Sequence, residues 1–248
     1  MTEVDFSKSS SDEEWFKTQS IEVRCAISSR AALRVLANSA VIPEQSFEYI
    51  TLVALRAILT AVCRSIESQQ NLDWTVLSRT AIFGPAAIRT LLDEEGRHAT
   101  KHLSAAALAA LAGAASTSSA NCASGSVMAA HSAANDIGGG YYLASLAAMK
   151  IDISSIDYDD EMVASVNKLR SRPVWDGVII SGLNRSRHDD FISIFYSDPK
   201  WSFWSDWYER MWEGTFEDWA WLLKSFKFLM TYGRATTQLK RLRLRLNG

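Results

Sequence analysis

Apolar residues recur three and four positions apart along most of the chain, as in Phe47, Ile50, Val53-Ala54, Ala57-Ile58, Ala61-Val62 and Ile66. With only four prolines and twelve glycines in 248 residues to interrupt it, that spacing predicts a chain built mainly of helices. A first helix is expected after Ser11, where Glu14 stands at the capping-box distance and Trp15 and Phe16 follow. The pattern continues, or restarts at Ser20, through Ile21 to Leu36, with Val23, Ile27, Ala31 and Leu33-Arg34 along one side, and Pro43 ends the region. Ser46 opens the next helix, whose apolar stripe runs five turns to Ile66. Asp73 caps a short helix through Trp74 and Leu77, Phe83-Gly84-Pro85 breaks the chain, and Pro85 suits the first turn of a helix from Ala86 to about Ala115.

From Ser104 to Ala148 small residues dominate. Alanine favours helix and lets helices approach closely, which predicts an Ala-rich hairpin or triplet packed face to face rather than a flexible linker. Gly138-Gly139-Gly140 reads as a helix break, because no β-branched strand precedes it as a phosphate loop requires. Residues 151–161 carry five carboxylates but lack the glycine and spacing of a calcium loop. They read as a connector in which Asp157, Asp159 and Asp160 favour the start of a helix through Met162, Val163 and Val166. Arg172-Pro173 closes that helix, Asp189-Asp190 starts another with Phe191, Ile194 and Phe195, and Ser197-Asp198-Pro199 makes a turn.

The segment WSFWSDWYERMWEGTFEDWAW, residues 201–221, holds six of the nine tryptophans. Trp201, Trp204, Tyr208 and Met211 fall on one stripe of a helix, Trp207 and Trp212 widen it, and Gly214 ends it. Large rings on one helix suit the hollows that methyl-sized neighbours leave, so a core or an oligomer interface is the favoured reading. The sharper alternative is a contact surface in which exposed members of Trp201, Trp204, Trp207, Tyr208 and Trp212 anchor a partner. An aromatic cage for a cation or a base fits less well, because such rings are splayed around a cleft.

Composition narrows the function. A formal net charge of −2 does not describe a protein that is basic overall, so nucleic acid is not the default partner. Cys25, Cys63 and Cys122 are odd in number and widely spaced, as reduced thiols of a cytoplasmic protein are. The polar, acidic N-terminus lacks the order of a signal peptide, and the Ala-rich stretch lacks the large aliphatics of a spanning helix, so no membrane span is expected.

Three constellations bear on chemistry. In Lys240-Arg241-Leu242-Arg243-Leu244-Arg245-Leu246, following Arg234, the cations Arg234, Lys240, Arg241, Arg243 and Arg245 form a basic tail, read either as a solvated terminus or as a contact for phosphates or an acidic partner. Glu94, His98 and His102, four apart, would stack on one side of a helix as a metal-ligand set, although Arg97 and Lys101 oppose a cation there. His131 with Asp136 and His188 with Asp189 are the other histidine pairs. No Gly-x-Ser-x-Gly elbow, Walker loop or His-Glu-x-x-His pattern occurs, so no catalytic residue and no cofactor is assigned.

Trp15-Phe16-Lys17-Thr18-Gln19, Arg30-Ala31-Ala32-Leu33-Arg34-Val35-Leu36, the Ala-rich middle, Arg172-Pro173-Val174-Trp175 and Trp201-Ser202-Phe203-Trp204-Ser205-Asp206-Trp207-Tyr208 follow one another in the chain. In that order they resemble a group of uncharacterised helical proteins of alphaproteobacteria with a W-x-F-W-x-D-W-Y motif. The resemblance covers much of the chain and implies a bacterial or phage origin; it implies no activity, and the end from Lys224 onward departs from it.

The expectation is an all-α, cytoplasmic protein: a multi-helix bundle with an Ala-rich central hairpin and a Trp-rich C-terminal helical region. Residues 1–10 are expected to be disordered and 11–248 to form one domain, with a sub-boundary near 151–160. It is expected to act without catalysis, as an accessory or inhibitory factor that binds another protein and self-associates. Nucleic-acid association through the basic tail and a metal-dependent helical-bundle enzyme are the alternatives.

Overall fold

The computed structural model describes residues 9–42, 44–66, 148–156, 162–175 and 182–224. Among these residues the fold is all-α, with no strand. The chain divides into two compact units, Met1–Phe216 and Glu217–Gly248, each described by itself. No helix among the described residues is long and apolar enough to cross a membrane.

In the first unit, α1 (Ser9–Thr18) leads into α2 (Ile21–Leu36), the 3-10 turn Ala37–Val41 and α3 (Glu44–Ile66). A helical segment over 148–154 is α4. Then come α5 (Met162–Arg170), α6 (Gly182–Tyr196), the 3-10 turn Pro199–Trp201 and α7 (Ser202–Glu213). The Ala-rich hairpin, the helix from Ala86 and the Gly138–Gly140 break lie outside the described residues.

α2 is the axis of this unit. Ser20 caps it by accepting the Val23 N–H at 3.3 Å, and every residue from Val23 to Leu36 is buried. Such burial is possible because Ala26, Ser28, Ser29, Ala31 and Ala32 keep the helix narrow, and the two serines bond back to the Cys25 and Ala26 carbonyls at 3.2 and 3.0 Å. α3 lies against α2, α5 packs on it as well, α6 packs against the Ala37–Val41 turn, and α7 packs on α6. Phe47, Ile50, Ala54, Ala57, Ile58, Ala61 and Val62 of α3 are buried, Val53 and Ile66 of the expected stripe are only half-buried, and Leu55 and Leu59 widen the buried arc beyond one stripe. Cys25 and Cys63 are both buried.

Several boundaries differ from the expected ones. α1 starts at Ser9, which puts Ser11 inside the helix, and Glu14 pairs with Lys17 at 3.3 Å instead of reaching back to a cap. α3 starts at Glu44, two residues before Ser46. α6 starts at Gly182, well before Asp189, because its first turns are polar and carry no apolar stripe to announce them. The largest correction concerns residues 151–161. The connector expected from Ile151 is helix as far as 154, and Asp152 is buried within the unit.

In the second unit residues 219–224 form α8. Asp218 caps it by accepting the Trp221 N–H at 2.8 Å.

Candidate functional site

Three segments far apart in sequence meet at the C-terminal half of α2. Arg30 and Arg34 stand one turn apart and therefore face the same way. Asp152 of α4 lies between them. Its Oδ1 accepts from Arg30 Nε at 3.0 Å and its Oδ2 accepts from Arg34 Nη2. Further donors reach the end of α5 and the residues after it: Arg30 Nη1 to the Leu169 and Arg172 carbonyls at 2.9 and 2.8 Å, Arg30 Nη2 to Pro173 at 2.7 Å, and Arg34 Nε to Val174 at 2.9 Å. The side chains of all three charged residues are no more than 2 % exposed.

The strap 172–175 is held from its other side too. Val174 N–H donates to the Trp212 carbonyl at 3.2 Å, just before α7 ends. Gly214 terminates α7 with φ +71°, and a Cβ there would stand 2.3 Å from the Pro173 nitrogen. Glycine is needed at this position both for the left-handed backbone and for the close approach of the strap.

Charge in the cluster is unbalanced, with two guanidiniums on one carboxylate. Burial pushes the Arg34 guanidinium below its ordinary pKa, the Asp152 charge opposes that shift, and the Arg30 charge adds to it. Arg34 Nη1 has no hydrogen-bond partner, and the guanidinium carbon lies 5.9 Å from the centroid of the Trp175 ring. Nearby, Arg170 bonds the Ser65 carbonyl at 2.7 Å, and burial lowers its pKa to about 10.

A sheet of rings continues from Trp175. Trp212 lies 6.3 Å from it, His188 of α6 stacks on Trp212 at 4.0 Å, and Tyr208 lies 5.8 Å from His188. Phe191 meets Tyr208 edge-on at 5.0 Å and Phe195 at 4.2 Å. Phe195 stacks on Trp201 at 4.9 Å, and Phe47 of α3 meets Trp201 at 6.0 Å. Burial without a partner raises the Tyr208 hydroxyl pKa far above its ordinary value.

The structure places Trp201, Trp204, Trp207 and Tyr208 inside the first unit, with Trp207 and Tyr208 at 0 % exposure, and leaves Trp212 half-buried. These are ring-packing positions in the folded unit. Exposed aromatic surface is found instead at Trp221 and Tyr196, 42 % and 62 % exposed. Tyr196 donates its hydroxyl hydrogen to Glu209 across α6 and α7. His188 and Asp189 are in contact, Nδ1 to Oδ1 at 3.3 Å.

Glu94, His98 and His102, the His131–Asp136 pair, and the tail residues Arg234, Lys240, Arg241, Arg243 and Arg245 lie outside the described residues. Among the described residues no group of three His, Cys, Asp or Glu side chains is gathered as a metal site.

Arg30, Arg34, Asp152 and Trp175 carry no site motif in the sequence, yet two signals mark the three charged residues. In IEVRCAISSRAALRVL the arginines sit on a helix with no polar face to carry them, and Asp152 stands alone between two isoleucines. A charge with no wet side available must find a partner inside.

No protein-family model, curated protein or solved structure matches the chain.

Proposed function

We propose that the protein is a non-catalytic helical binding protein that works in a bacterial or phage cytoplasm by contact with another polypeptide, a second copy of the chain among them. The observation that carries this reading is Trp221. It closes the tryptophan-rich run, yet 42 % of it is exposed, and it is joined on the surface by exposed Ala220 and half-buried Trp219. The exposed part of an indole forfeits the burial that it gains at an interface, and tryptophan is enriched among binding anchors. The anchoring role thereby passes from the packed rings of α7 to the Trp-Ala-Trp stretch of α8.

Light scattering on the size-fractionated full chain tests the reading. Assembly is expected to persist at raised salt, because apolar contact is not screened, and Trp221→Ala is expected to weaken it at least tenfold with helical content unchanged. A monomer at every concentration, or assembly indifferent to Trp221→Ala, would contradict it.

A further inference from the structure

Two donors in the arginine cluster are buried without acceptors: Arg34 Nη1 and Trp175 Nε1. Their parent groups adjoin, with the guanidinium carbon 5.9 Å from the indole centroid, and neither group can accept a hydrogen bond from the other. Among the described residues the acceptors at this point each already receive an arginine hydrogen. The carbonyls of Leu169, Arg172, Pro173 and Val174 and both oxygens of Asp152 receive the other arginine hydrogens. The cluster also carries one positive charge more than Asp152 neutralises. A buried donor with no acceptor, on a guanidinium that shares its one counter-charge with Arg30, is a costly arrangement unless something supplies an acceptor and further negative charge.

We propose that Arg34 and Trp175 form a binding site for one small oxyanion, which accepts from Arg34 Nη1 and Trp175 Nε1 and supplies the missing negative charge. A carboxylate or an inorganic oxyanion has the required chemistry: two or more oxygens that only accept, on one compact charged group. Both donors are closed to solvent in the structure, so the ligand enters when the strap 172–175 lifts. That strap is held on the α7 side by the Val174-to-Trp212 hydrogen bond of 3.2 Å and on the α2 side by the Arg30 and Arg34 bonds to the Arg172, Pro173 and Val174 carbonyls, so lifting it parts both sets while the Asp152 contacts stay in place. Trp212, His188 and Tyr208 line the continuation of this patch, and His188 Nε2 and the Tyr208 hydroxyl are likewise without partners.

The test is thermal unfolding of the full chain in sodium formate, sodium phosphate and sodium chloride at matched ionic strength. At about ten times Kd, a bound oxyanion is expected to raise Tm by about 3 °C over chloride. Trp175→Phe keeps a ring under the guanidinium and removes only the N–H, and is expected to cut that rise to less than about 1 °C. Asp152→Asn, which adds to the charge excess, is expected to enlarge the rise; a purely structural Arg34 would not produce that change. A rise in formate assigns a carboxylate, and a rise confined to phosphate assigns an inorganic oxyanion. Equal Tm in all three salts, or a rise of the same size in wild type and Trp175→Phe, would overturn the proposal; the latter is general salt exclusion. If Asp152→Asn fails to fold, the Trp175→Phe comparison decides alone.

Discussion

Around Phe195 the interior of the first unit is made of rings, whereas around Asp152 it is made of charges and carbonyls. The ring layer joins α3, α6 and α7 through centroid separations of 4.0 to 6.2 Å and several orientations, from the near-parallel Phe195–Trp201 pair to the edge-on Phe191–Tyr208 pair. Such contacts are not strongly directional, so losing part of one ring lets its neighbours settle. The arginine cluster joins α2, α4 and the 172–175 strap with hydrogen bonds of 2.7 to 3.0 Å whose donors and acceptors are fixed in number. Removing one member strands the others in a medium that solvates them poorly. The ring layer supplies graded stability, and the cluster supplies an all-or-none definition of where the strap lies.

The largest effect is therefore expected from Asp152→Asn, which leaves two buried guanidiniums without a counter-charge and should cost about 3–5 kcal/mol in urea unfolding. Gly214→Ala comes next. It forces a side chain into a left-handed position 2.3 Å from the Pro173 nitrogen and should cost about 2–3 kcal/mol, read by the same titration. On the ring side, Trp201→Phe keeps an aromatic surface against Phe195 and should lose only about 1–2 kcal/mol. A ring substitution costing as much as Asp152→Asn would erase the contrast between the two regions.

The smallest effect at neutral pH belongs to Tyr208→Phe, since the Tyr208 hydroxyl makes no hydrogen bond and its removal should be neutral or slightly stabilising. The difference emerges in alkali. Because burial raises the folded-state pKa above the ordinary 10.0, the neutral hydroxyl's contribution is complete below pH 10.0 and falls as pH rises toward the folded value. Wild type should lose up to ~1.4 kcal/mol per pH unit more than Tyr208→Phe in that window. Unfolding titrations at a series of alkaline pH values check the slope.

How much of this was legible in the sequence follows from what each region is made of. The helical fold and the end of α7 at Gly214 could be read because apolar spacing and glycine are local signals, and so could the apolar stripe of α3. The start of α6 could not, since Asn184 to His188 is polar and gives no periodic cue, although His188 ends up stacked on Trp212. The Trp-rich segment could be placed on a helix, but which of its rings face water depends on what packs against them. Trp207 and Trp221 look alike in sequence and differ from 0 % to 42 % in exposure. The arginine cluster is the least legible part because it is a long-range arrangement: Arg30 meets Pro173 across 143 positions. Within any single segment Asp152 is only one acid among five.

A double-mutant cycle pairing Arg34→Gln with Asp152→Asn, followed by urea unfolding of the full chain, tests most directly whether the buried charges act as one unit. The account predicts a double variant more stable than the sum of the single losses implies, by about 2 kcal/mol or more. Additivity within about 0.5 kcal/mol would contradict it, since uncoupled residues behave that way.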